Sequence, residues 1–216
     1  MNKIVLGCLG ALVLFAIIIV LSVVGGYNHL TSLSQGVDSQ WAQVENVYQR
    51  RADLIPNLVS TVQGAANFEK STLEEVTKAR AAAENTGISP NVAPTDPAKL
   101  QQFQQAQDQL HTAVIRVLAV AESYPQLRAT ENFSELQAQL EGTENRIAVE
   151  RQKFNAAVQA YDTTIRSFPD VLFAGMMGFQ SKPYFTATAG SETPPAVHFD
   201  NSPAPAAPAT GAPTNP

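Results

Sequence analysis

The sequence predicts an all-α protein: an N-terminal transmembrane helix, then an elongated antiparallel bundle of three to four long helices, then a disordered C-terminal tail. Three observations predict it. Ile4 to Val24 is an uncharged run of 21 residues rich in Leu, Ile and Val. Three long segments carry apolar residues at alternating steps of three and four, the spacing that lines up one face of a helix. The last part of the chain is Pro, Ala, Thr and Ser, a composition with too little apolar surface to offset the entropy of ordering.

As a helix, residues 4–24 would be about 31 Å long, matching a hydrocarbon layer of about 30 Å. A cleaved signal peptide fits less well. Its apolar region would be too long, and Val24-Gly25-Gly26 is a poor cleavage pattern. Residues 1–26 are therefore expected to be a retained, single-pass anchor whose partner is the lipid bilayer through residues 4–24. Lys3 lies before the span, and no Lys or Arg follows it until Arg50. The positive-inside rule then places the N-terminus in the cytoplasm and residues 27–186 outside, on a bacterial cytoplasmic (inner) membrane.

The first soluble helix is read from Leu30, Leu33, Val37, Trp41, Val44, Tyr48, Leu54, Ile55, Leu58 and Val62, continuing to Leu73, Val76 and Ala79. Pro56 falls inside it. Either Pro56 kinks a continuous helix, which is the preferred reading, or Asp53 caps a new one with Pro56 in its first turn. Asn85 to Asp96, with Gly87, Pro90 and Pro94, is a loop. Asp96-Pro97 opens the next helix as N-cap and first-position proline. Its seam of Leu100, Phe103, Gln107, Leu110, Val114, Val117, Ala121 and Tyr124 ends at Tyr124-Pro125. A third seam runs from Phe133 through Leu136, Leu140, Thr143, Ile147, Phe154, Val158, Tyr161 and Ile165 to Phe168-Pro169. Asn132 with Glu135 is its candidate capping box. At about 54 Å it is the longest soluble helix expected.

Pro169 to Phe185 is apolar and too short for a bundle helix. Val171, Leu172, Phe173, Met176, Met177, Phe179, Tyr184 and Phe185 are candidate interaction residues, either capping the bundle end or docking a partner. Residues 187–216 form the expected tail, with seven of the 14 prolines. A second candidate is a polar patch of Arg50, Arg51 and Asp53 with Glu144, Asn145 and Arg146. The seam between Leu140 and Ile147 passes through Thr143-Glu144, where a buried polar layer would fix helix register.

Composition excludes several classes. A net charge of -5 with scattered basic residues offers no footprint for nucleic acid. The single cysteine, Cys8, lies in the apolar run and permits neither an internal disulfide nor a thiolate metal cluster. His29, His111 and His198 form no metal motif, and no phosphate loop or nucleophile elbow occurs. No catalysis, cofactor or metal is expected.

Several strings stand at distinctive spacing: Tyr27-Asn28-x-Leu30, Trp41 leading to Arg50-Arg51-Ala52-Asp53-Leu54-Ile55-Pro56-Asn57-Leu58-Val59, and Leu118-Ala119-Val120-Ala121-Glu122-x-Tyr124-Pro125. Asn132-Phe133-x-x-Leu136-Gln137, Thr143-Glu144-Asn145-Arg146-Ile147-Ala148 and Ile165-Arg166-x-Phe168-Pro169 extend the pattern. On these residues the chain resembles the LemA family of bacterial membrane proteins from the anchor to about Phe185. Phe68-Glu69 departs from the histidine that often precedes the glutamate. The resemblance implies a membrane-anchored antiparallel bundle and carries no enzymatic activity, cofactor or settled biochemical role. The expected function is a scaffold or interaction module for unidentified membrane or envelope proteins, or for a second copy of the chain. The alternative is a lipid- or peptide-binding module with a groove lined by Phe103, Phe133, Phe154 and Phe168.

Overall fold

The computed structural model describes residues 2–64 and 69–187. The fold is all-α, with no strand among the described residues. Its helices are α1 (Asn2–Gln63), α2 (Lys70–Glu84), α3 (Pro97–Ala121), α4 (Pro125–Arg128) and α5 (Glu131–Arg166), followed by a 3₁₀ turn at Asp170–Leu172. The expected tail lies outside the described residues, apart from Ala187.

Helix α1 is about 93 Å long and carries the apolar N-terminal run into the bundle without a break. Gly25-Gly26 does not interrupt it, and neither does Pro56. The Pro56 ring faces outward, beyond the buried neighbours Leu54, Ile55 and Leu58. Only one backbone hydrogen bond is forfeited there, and the packed face holds the helix together. The new-helix reading at Asp53 does not hold.

Two boundaries differ from the sequence reading. Leu73, Val76 and Ala79 belong to the separate helix α2, since α1 stops at Gln63. The capping box at Asn132 is not formed, because α5 starts two residues earlier than that cap would give, at Glu131, with Thr130 as its N-cap. The α3 start is as read: the Asp96 carboxylate accepts a hydrogen bond from the Ala98 amide at 2.9 Å, and Pro97 follows at the first position. Helix α3 ends at Ala121, three residues before Tyr124, and Pro125 opens the short α4.

The contacts give an up-down-up-down bundle. Helices α1 and α5 run antiparallel, with Arg51 meeting Glu144 and Trp41 meeting Phe154. Helices α2 and α3 also run antiparallel, pairing Glu75 with Arg116 and Ala83 with Gln107. The core is two clusters stacked along the bundle. The one far from the apolar run joins Leu54 to Val62 of α1 with α2, Leu110 to Ala121, and Phe133 to Leu140. The near one joins Leu30 to Tyr48 with Leu100, Phe103 and Ile147 to Ile165.

Helix α2 has only 15 residues, so it covers only the far half. In the near half the fourth layer is made by chain without regular structure. Loop 85–96 lies against α1 through a hydrogen bond from Trp41 Nε1 to the Ser89 carbonyl and one from the Ala93 amide to Asp38. A C-terminal strap, residues 179–185, fills the rest.

Candidate functional site

Between the two apolar clusters lies a buried polar layer centred on Arg51. The residue falls on α1 between Tyr48, of the near cluster, and Leu54, of the far one, and is only 2% exposed. Its Nη1 donates to Glu144 Oε1 of α5 at 2.8 Å. Its Nη2 donates to the Gln107 backbone carbonyl at 3.0 Å and to Gln107 Oε1 at 2.6 Å on α3. Gln107 Nε2 in turn donates to the Ala83 carbonyl of α2 at 3.4 Å. The guanidinium thus ties α1 to α3 and α5, using its planar fork on acceptors from two directions, and Gln107 extends the layer to α2. The Tyr48 ring stacks against it at 5.1 Å.

Glu144 also meets His111 Nδ1 at 3.3 Å. Burial alone would push the Glu144 carboxyl up. The His111 hydrogen bond and the Arg51 charge outweigh it and hold the group below the usual carboxylate range. Of the six residues in the sequence-level patch, the fold brings only Arg51 and Glu144 together. Arg50, Asp53, Asn145 and Arg146 face outward, and Asp53 accepts only a local hydrogen bond from Gln49. Sequence reasoning missed the bridging role of Gln107, although its polar place in an apolar seam was the signal.

A second polar cluster fastens the strap. Lys182, 7% exposed, donates from Nζ to Asp38 Oδ1 at 2.8 Å. Its backbone amide donates to Asp162 Oδ1, and the Ser181 hydroxyl donates to Asp162 Oδ2. Asn155 then clamps the Phe185 backbone with two hydrogen bonds, from Nδ2 to the carbonyl at 3.0 Å and from the amide to Oδ1 at 2.9 Å. The same strap drives the Phe185 ring among Trp41, Phe103 and Phe154, with centroids 5.4 to 6.5 Å away.

That ring closes the groove expected from Phe103, Phe133, Phe154 and Phe168. Phe103 and Phe154 are packed against Phe185, Phe133 lies in the far cluster, and Phe168 is 80% exposed. These four phenylalanines line no common cleft. The eight candidate interaction residues also divide. Phe185 is core, while Phe173, Met177 and Phe179 are half-buried. Val171, Leu172, Met176 and Tyr184 are exposed. Among the described residues, no group of three or more His, Cys, Asp or Glu side chains could hold a metal ion.

The family model for the LemA family matches residues 40–199, most of the chain. The chain belongs to the LemA family. The matched stretch contains the polar layer, the strap and the aromatic cluster. Similar relatives include magnetosome proteins MamQ 2 and MamQ 1 of Paramagnetospirillum magneticum, each 25% identical over 186 residues. Each alignment covers 78% of this chain and 67% of the relative. Magnetosome protein MamQ of Magnetospirillum gryphiswaldense is 24% identical over the same share.

Proposed function

We propose that this LemA-family chain is a membrane-anchored scaffold of the bacterial cell envelope, in which residues 1–26 span the inner membrane and residues 27–186 present a bundle outside it. The observation that carries this reading is the continuity of α1. Leu6 to Ser22 are exposed throughout, so nothing in the fold covers their apolar side chains. A bilayer does cover such a surface. The same helix then becomes a core element, so the bundle is joined to the span by continuous helix rather than by a flexible tether.

The packing of Phe185 against Phe103 and Phe154, where a ligand groove was expected, favours binding through the outer faces of the bundle. Ile115 on α3 and Val149 on α5 are exposed apolar side chains on these faces. The partners on this reading are other membrane or envelope proteins, or a second copy of the chain. The MamQ relatives are named magnetosome proteins; what supports our reading from them is the shared bundle sequence alone.

Photo-crosslinking in intact cells with a probe at Ile115 or Val149 tests this. Discrete adducts that disappear when residues 1–26 are replaced by a soluble tag are expected. No adduct from probes scanned over α3 and α5 would overturn the scaffold reading.

A further inference from the structure

The antiparallel course of α1 and α5 returns the chain, after Arg166, to the level where the apolar run of α1 ends. Gly26 marks the contact. A Cβ placed there would lie 2.5 Å from Asp170 Oδ1 and 2.7 Å from Phe173 Cζ, so any larger residue would force the Asp170 carboxylate and the Phe173 ring to move. Gly26 is two residues beyond Val24, about 3 Å along the helix axis. Val23 and Gly26 are half-buried, while Ser22, Val24 and Gly25 beside them are exposed. Residues 23, 26 and 30 share one helix face, and Leu30 on that face is fully buried. Just beyond, the Tyr27 and Phe179 rings meet at 5.6 Å.

The turn that makes this contact sorts its apolar residues in two directions. Phe173, Ala174, Met177 and Phe179 turn inward, and Ala174 is buried in the near cluster. Phe168, Val171, Leu172 and Met176 turn outward and are 80%, 50%, 66% and 90% exposed. Residues 167–181 contain one charge, Asp170. Arg166 is directed back to Asp162 and Ser181. An apolar knob without basic residues would be a poor electrostatic match for a polar partner, and in water it is a hydration liability. Through the Gly26 contact it lies beside the end of the exposed apolar run of α1, with only Gly25 between Val24 and that contact along the helix.

We propose that Phe168, Val171, Leu172 and Met176 form a foot that enters the phospholipid headgroup–acyl boundary beside the exit of α1. This rests on the membrane-spanning reading of residues 4–24. The foot makes a second membrane contact for the same chain, so the bundle is held in one orientation by two points. Inserted apolar side chains of this kind reach about 5–10 Å into the interface.

Full-length protein with Cys8→Ser and a single environment-sensitive fluorophore at Met176→Cys, reconstituted in vesicles of phosphatidylcholine and phosphatidylglycerol, tests it. Phe15→Cys reports the span, and Gln126→Cys reports the far end of the bundle. A lipid spin label near the headgroup end of the acyl chain is expected to quench emission at position 176 about twofold, as for a shallowly inserted group, while position 126 responds only to aqueous iodide. Leu172→Cys should behave like position 176. Iodide quenching at 176 with position 15 still lipid-quenched would overturn the foot and leave the span standing. Aqueous behaviour at position 15 would overturn the span and the foot together. Protection of 176 from both quenchers, with energy transfer between copies, would assign the patch to a dimer contact and overturn the proposal.

Discussion

Arg51 is a charge placed where the bundle would otherwise be apolar, and its partners decide what that costs. Replacing it with methionine leaves the Gln107 oxygens without their donor and Glu144 with His111 alone. Such a break is expected to cost about 3 kcal/mol, measured by chemical denaturation in detergent. Replacing Arg51, Gln107 and Glu144 together by Met, Leu and Leu should recover most of that loss, since no buried charge is stranded. A triple variant as unstable as Arg51→Met would show that the layer adds net stability. The pH response follows from the lowered carboxyl of Glu144. A depressed folded pKa gives stability that is present above the unfolded value and lost as pH falls through the folded one. Stability should therefore drop as pH falls below the usual carboxylate value of 4.5, and Glu144→Gln should flatten that part of the profile. An unchanged acid limb in the variant would contradict this. The polar gap in the seam at Thr143-Glu144 was legible in the sequence. The identity of its partner was not, because Arg51 and Glu144 are 93 residues apart and Arg50 had an equal claim by composition.

At the scale of elements, seam positions behave as the periodicity demands. Leu140 is 3% exposed and Ile147 is 5% exposed, on either side of the polar layer. Leu140→Asp and Ile147→Asp should each cost about 3 kcal/mol or more, because each adds an unpaired charge to a closed apolar cluster. Wild-type unfolding midpoints for both would mean that α5 is phased otherwise. The strap is the element that periodicity could not reveal. Phe185→Ala should cost about 3–5 kcal/mol in the same assay, since its ring fills the space between Trp41, Phe103 and Phe154. Val171→Ala, on the outer side of the same segment, should leave soluble-domain stability within about 0.5 kcal/mol. The apolar run 169–185 looked uniform as a sequence, since alternation between core and exterior in irregular chain follows no fixed period.

For the molecule as a whole, a few charges set the predicted side of the membrane. Lys3 precedes the span and Arg50 is the first basic residue after it. We therefore predict that a thiol-reactive, membrane-impermeant reagent labels Gln126→Cys in Cys8→Ser protein once the outer envelope is opened and the inner membrane is intact. Insertion of three lysines after Gly26 should reduce or reverse that labelling. No labelling of the parent, with an external marker labelled in the same cells, would place the bundle in the cytoplasm. The fold would be unaffected, because neither core cluster depends on which side it faces.

The sequence by itself determined the apolar seams of α1, α3 and α5, the cap at Asp96-Pro97, the uncharged run and the faces that must be buried. These follow from local spacing and from residue types whose backbone and solvation preferences act within a few positions. The tertiary structure alone decided which charges meet, that Phe185 packs between Phe103 and Phe154, and that Gly26 receives Asp170 and Phe173. Each of these joins segments between 30 and about 150 residues apart. Such pairings depend on how rigid helices stack end to end, and no local pattern in the chain carries that information.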